Sequence, residues 1–114
     1  MSRSVLLQLA RDSITEVYEA QRTIQKESLL KEHPLLSQNI AATVNIYLEK
    51  ELRGSSTQES LALVDAIIIG SKKAAFEDSG FTPLKTSEYL SCEIELILQT
   101  QEGTISETDP AILS

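Results

Sequence analysis

Hydrophobic and polar positions along the chain alternate with two different periods. Over residues 4–20, at 100° per residue, Leu6, Leu9, Ala10, Ile14 and Val17 share one face and Gln8, Arg11, Asp12, Thr15, Glu16 and Glu19 the other. This predicts an amphipathic helix with Ser4 as its N-cap. Residues 21–40 are less regular, with Leu29, Leu30, Leu35 and Leu36 placed around His33-Pro34, and predict only a short helix ending before the proline. From Ala41 to Leu48 the period drops to two: Val44, Ile46 and Leu48 alternate with Thr43, Asn45 and Tyr47, as in a half-buried strand. Glu51–Ser55 is its expected hairpin partner. Glu49-Lys50 lacks the Gly or Asn that a two-residue turn favours, so a longer loop or an unsettled register is expected between them.

Residues 59–78 predict a second long helix whose wide apolar face, Leu61, Leu63, Val64, Ile67, Ile68, Ala74 and Ala75, suits packing on a sheet. On its opposite side Ala62, Ile69 and Phe76 recur every seven residues and stay within about 40° of one another. That stripe is a candidate interface, to be covered either by a protein partner or by residues 29–36 or the tail folding back. Asp78-Ser79-Gly80 ends the helix, and Thr86–Leu90 reads as one short helical turn. Ser91–Gln99 is a third strand, with Cys92, Ile94, Leu96 and Leu98 inward and Glu93 and Glu95 outward. The segment beyond it holds Glu102, Glu107 and Asp109 without a base, among Gly, Thr, Ser and Pro, and reads as a loosely ordered acidic tail over 101–114. The expected architecture is α+β: one domain over 1–100, with a small antiparallel sheet of segments 42–48, 51–55 and 93–99 packed against two long helices.

Composition narrows the function classes. With 114 residues, 41% hydrophobic and 24% charged, the chain can bury one core without metals or disulfides. Its net charge of −7, with Lys72-Lys73 the one adjacent basic pair, argues against nucleic acid. The longest apolar stretch, Leu61–Ile69, is interrupted by Asp65 and falls far short of the ~20 residues of a membrane span, so no membrane partner is expected. The first apolar run is too short for a signal peptide, and the single Cys92 cannot form an internal disulfide; a cytoplasmic protein is expected.

Candidate chemistry is sparse. No Gly-rich phosphate loop, HExxH helix, cysteine pair or Gly-x-Ser-x-Gly elbow is present, and neither a metal nor a cofactor is expected. His33 reads as a solvated loop residue. Cys92 follows the buried parity beside Glu93, which disfavours a thiolate. Glu77-Asp78 are adjacent carboxylates that point apart on a helix, with Lys73 four residues before Glu77 as an ion-pair partner.

Four segments carry a resemblance: Leu9-Ala10-Arg11, Leu52-Arg53-Gly54, the run Ala74-Ala75-Phe76-Glu77-Asp78 with Phe81, Pro83 and Leu84, and Ile94-Glu95-Leu96. Over residues 4–100 the sequence resembles the AMMECR-type domain family, an intracellular family, and is expected to correspond to the first half to two-thirds of its domain. In that family the hairpin reads Leu-Arg-Gly-Cys-Ile-Gly, and its cysteine is the usual candidate for a reactive residue. Here Ser55 stands in that place, and a serine without a base is a weak nucleophile, so cysteine chemistry should be lost. Two functions are therefore expected in competition. One is a non-catalytic module acting through protein contacts, as a homo-oligomer or with a protein partner, through Ala62, Ile69 and Phe76. The other is a small-molecule binding protein or enzyme with an anion pocket at Arg53, Gly54 and Ser55, where Arg53 supplies a planar donor fork and Gly54 lets a backbone amide approach.

Overall fold

In the computed structural model, which describes residues 3–113, the chain runs through α1 (Val5–Glu19), α2 (Lys26–Glu32), a 3₁₀ turn at Pro34–Ser37 and strands β1 (Ala41–Leu48) and β2 (Glu51–Gln58). It continues through α3 (Leu63–Phe76), α4 (Thr86–Ser91), β3 (Cys92–Thr100) and β4 (Gly103–Asp109). Residues 1, 2 and 114, at the ends of the expected bounds, lie outside the described residues. The strands form one antiparallel sheet in the order β2-β1-β3-β4. β1 and β3 pair along their length, and their inward residues Val44, Ile46, Ile94 and Leu96 are buried as the period-two pattern predicts. α3 lies over β1 and β2, and α1 packs against α3 and the β3–β4 side, so both long helices cover one face of the sheet. No helix among the described residues is long and apolar enough to cross a membrane.

Several expectations are corrected. Glu49 and Lys50 both adopt left-handed φ values, 53° and 68°, and close a two-residue turn without Gly or Asn. The mirror-image turn matches the twist of the flanking strands, and the ladder around it holds two ordinary residues in that conformation. β2 also runs past Ser55 to Gln58, because Ala42, Thr43 and Val44 keep pairing with it. α3 consequently starts at Leu63 rather than at residue 59.

Half of the segment expected as a loose tail is strand β4, paired with β3 from Ile94↔Asp109 to Thr100↔Gly103. Its anchor is Asp109, which explains a second correction. Arg11, expected on the polar face of α1, is 1% exposed, whereas Val17, expected on the apolar face, is 45% exposed. The Arg11 guanidinium lies between α1 and the sheet with a partner for each of its five N–H groups. Nε donates to Asp109 at 2.6 Å, Nη2 to the carbonyls of Cys92 and Pro110 at 2.9 and 3.0 Å, and Nη1 to the Tyr89 carbonyl at 3.3 Å and Cys92 Sγ at 3.6 Å. The Tyr89 ring covers it at 5.1 Å. Arg3 holds the other Asp109 oxygen at 2.8 Å, and the Ser4 hydroxyl, which caps α1 at the Leu7 amide, also donates to Glu107.

Glu16 is likewise buried, at 8% exposure, although polarity placed it outside. It accepts the Thr23 and Ile24 amides at 2.7 and 2.9 Å and the Lys72 ammonium at 3.0 Å, tying the turn after α1 to α3. Burial pushes its pKa up, but the Ile24 amide, Lys72 and the Thr23 amide outweigh this and hold it below the ordinary value of 4.5.

The expected stripe on α3 does not exist as one exposed surface. Ala62 precedes the helix and bridges to Asn39, while Leu63 donates its amide to the Gln38 carbonyl. Phe76 is half-buried edge-on against Tyr18, with ring centres 5.3 Å apart. The Tyr18 hydroxyl donates to the Leu84 carbonyl at 2.6 Å, and burial pushes its pKa up to about 12, so it stays a donor. Only Ile69, 37% exposed, remains open. The cover comes from α1 and residues 38–39, and the 3₁₀ turn at Pro34–Ser37 also packs against α3.

Three outcomes follow from this packing. Arg11→Ala leaves the buried Asp109 with the partly exposed Arg3 as its cation, takes a donor from the Cys92 and Pro110 carbonyls, and should cost about 3–5 kcal/mol in urea denaturation; a loss under about 1 kcal/mol would contradict the role given to Arg11. Phe76→Asp should lower Tm sharply and Ile69→Asp hardly at all, and equal effects would argue against this cover. Glu16 has a folded pKa below its unfolded one. Its stabilisation is therefore full above the unfolded value and disappears as pH falls through the folded one. Acid titration of stability should show a drop below about pH 4.5 that is shallower in Glu16→Gln; superimposable acid limbs would refute it.

Candidate functional site

The three residues expected to line an anion pocket follow one another at an irregularity in β2. Pairing steps from Tyr47↔Leu52 to Ile46↔Gly54, which leaves Arg53 with no partner on β1. Such a bulge re-aims the side chain of the extra residue. Arg53 reaches across to the segment between α3 and α4. There its Nε and Nη2 each lie 3.0 Å from one oxygen of Glu88, a two-pronged ion pair. Nη1 donates to the Thr82 carbonyl at 2.9 Å, and Nη2 also reaches Thr82 Oγ1 at 3.3 Å and the Pro83 carbonyl at 3.4 Å. The Phe81 ring lies 5.8 Å from the guanidinium carbon. Glu88 in turn accepts the Lys85 amide at the start of α4. The hydrogen bond from Arg53, followed by that from Lys85, holds the Glu88 carboxyl below its usual range.

Gly54 serves a contact. A Cβ at this position would stand 2.0 Å from the Ala74 carbonyl oxygen, so only glycine lets the backbone of α3 settle on β2. Ser55 donates its amide to Asp78 at 2.9 Å and its hydroxyl to Asn45 Oδ1 at 2.6 Å. Asp78 also accepts the Gly80 amide at 2.8 Å. Arg53, Gly54 and Ser55 are thus brought together with the end of α3 and the turn that follows it. Each is engaged with the protein itself, and two of the stretches that carry the resemblance, Leu52-Arg53-Gly54 and Ala74–Leu84, turn out to be halves of one fastening.

Ser55 also begins a row of polar side chains on the face of the sheet away from the helices. Asn45 passes its amide hydrogen to Glu95 at 3.0 Å, and the Tyr47 hydroxyl donates to the same carboxylate oxygen at 3.2 Å. Burial and the hydrogen bond to Glu95 push the Tyr47 pKa up. One row away, the Thr43 and Thr57 hydroxyls meet at 2.8 Å. The Ser55 proton is directed at an amide oxygen rather than at a base, so the hydroxyl is held as a structural donor and not activated for attack. Asn45, Tyr47 and Glu95 were not singled out in the sequence. Their outward parity was visible there; the register that aligns them with Ser55 was not.

The other candidates are occupied elsewhere. Cys92 is fully buried and donates its thiol to the Tyr89 carbonyl at 3.2 Å, and burial pushes its pKa up. His33 is half-buried beside an apolar groove of about 340 Å³ with Val5, Leu6, Pro34, Leu35 and Leu36. A larger groove, about 560 Å³, runs between the start of α1 and the residues after β4. Its Arg3 is spent on the Asp109 carboxylate and the Gln8 amide oxygen. Among the described residues, no group of three His, Cys, Asp or Glu side chains converges on a metal-sized site.

Comparison with known proteins bears on the fold. The sequence is matched by the family model of AMMECR1 over residues 7–112. Among solved structures, uncharacterized protein PH0010 from Pyrococcus horikoshii superposes with a TM-score of 0.73 at 24% identity. The superposition covers 83% of this chain and 49% of that one, so the chain spans about half the length of that relative, and the likeness concerns the fold alone. No curated protein matches. With all but the first two residues of α1, the hairpin and the final strand inside the matched range, the chain belongs to the AMMECR1 family.

Proposed function

We propose that this member of the AMMECR1 family is a non-catalytic module that acts through protein contacts in the cytoplasm. The observation that carries the reading is the one-sided sheet. Its helices cover one face only, and the other is a broad surface on which Ser55, Asn45, Glu95 and Tyr47 are already hydrogen-bonded to one another, with Ile97 in the neighbouring row. Side chains ordered in advance lose little freedom when a partner seats on them, and a wide surface mixing tyrosine, amide and apolar groups suits a protein better than a small ligand. Further support is negative for the competing anion site. An incoming phosphate or carboxylate would have to displace Glu88 from Arg53, and Ser55 has no base beside it.

The test is photo-crosslinking in cells of the protein's own source, with a benzophenone side chain at Ile97 on the open face or at Val17 on the helix side. A discrete protein adduct from position 97 and none from 17 is expected, together with no rise in Tm on adding phosphate. Equal labelling from both positions would overturn the reading. So would a phosphate-dependent rise in Tm that Arg53→Ala abolishes.

A further inference from the structure

The two outer strands of the sheet end it in opposite ways. β2 is guarded: it bulges at Arg53, the Ser55 amide that faces outward is taken by Asp78, and Arg53 pulls Thr82 and Pro83 against the strand. β4 carries none of these devices. Its seven residues contain no proline, lysine or bulge, and no strand among the described residues pairs with its outer side. Such an edge is a template for another strand.

Its geometry is specific. The two-residue connection at Gln101-Glu102 makes Thr100↔Gly103 the closing pair of the hairpin. Alternate residues from Gly103 onward therefore bond to β3, while Thr104, Ser106 and Thr108 direct their amides and carbonyls outward. The same alternation applied to β2 directs the Ser55 amide outward, where Asp78 accepts it. Thr104, Ile105, Ser106 and Thr108 are all exposed, Ile105 by 50%.

We infer that β4 pairs antiparallel with β4 of a second copy, across a two-fold axis at Ser106, joining two four-stranded sheets into one of eight strands. The inference rests on the protein-contact reading, and the surface it uses is the β4 edge beside the open face, which stays uncovered. Self-complementarity selects the occupant and the register. Centred on Ser106, all three outward amides and carbonyls of each copy find partners, whereas centring on Ile105 pairs only Thr104 and Ser106. Thr104 then faces Thr108 of the second copy and Ser106 faces its counterpart, hydroxyl against hydroxyl, on the same side of the sheet as Ser55 and Asn45. The one carboxylate within Thr104–Thr108, Glu107, lies opposite Ile105. Although each copy carries a charge of −7, no two like charges meet directly along Gly103–Asp109.

Sedimentation of the whole chain over a concentration series tests this, with circular dichroism to confirm folding. The wild type should dimerise. Ser106→Pro removes an outward donor and no bond to β3, and Thr104→Lys/Thr108→Lys sets lysine against lysine twice; each should weaken the dimer about tenfold or more. Thr104→Lys/Thr108→Glu sets lysine against glutamate in the same register and should restore it. Hydrogen exchange at Thr104, Ser106 and Thr108 should slow as concentration rises. A monomeric wild type at submillimolar concentration, a dimer indifferent to these variants, or equal loss in the Lys/Lys and Lys/Glu variants overturns the inference. A monomer that still gives crosslinks from position 97 overturns the inference alone and leaves the protein-contact reading standing.

Discussion

The buried Arg11 guanidinium sets the terms for the rest of the molecule. A charge taken out of water is tolerable only when every donor is matched, and matching five of them requires groups from distant parts of the chain. Asp109 and the Pro110 carbonyl come from β4 and just beyond it, the Tyr89 and Cys92 carbonyls from the junction of α4 with β3. None of these can shift without exposing an unpaired partner. The orientation of α1 and the placement of the final strand are two consequences of one side chain.

At the opposite side of the sheet a second fastening works by different means. Gly54 admits the α3 backbone, Arg53 grips the turn before α4, and the Ser55 amide meets Asp78. Shape comes first here and charge second, because the two-pronged Arg53–Glu88 pair is partly open to water and gains less than a buried one would. The residues that look most like a ligand site in sequence are thus the ones that hold helix to sheet. An arginine beside a glycine suggests an anion pocket when its neighbours are unknown; Glu88, thirty-five residues away, is what satisfies it.

Much of the sheet was legible from periodicity alone. The alternation at Val44, Ile46, Ile94 and Leu96 reports burial on one face directly, since strand parity is local information. What escaped is whatever depends on a distant partner. Arg11 and Glu16 counted as solvent-facing because polarity was the only cue, and β4 was missed because Thr, Ser, Glu and Asp on an edge strand leave no apolar rhythm. The turn at Glu49-Lys50 defied composition, as the strands on either side impose a conformation that neither residue favours. In the site, the residue types were visible and the bulge at Arg53 was not, so the direction of that side chain was beyond reach of sequence.

The separation of 98 residues between Arg11 and Asp109 has a temporal side. During synthesis α1 leaves the ribosome long before its counter-charge exists, and no native core can close around an arginine still seeking a carboxylate. The β1–β2 hairpin and its helix can assemble from nearby residues, but the whole sheet must wait until residue 109 has emerged. Completion of this fold is therefore a late, single event, and a nascent chain halted a few residues short would hold most of its secondary structure without a settled interior.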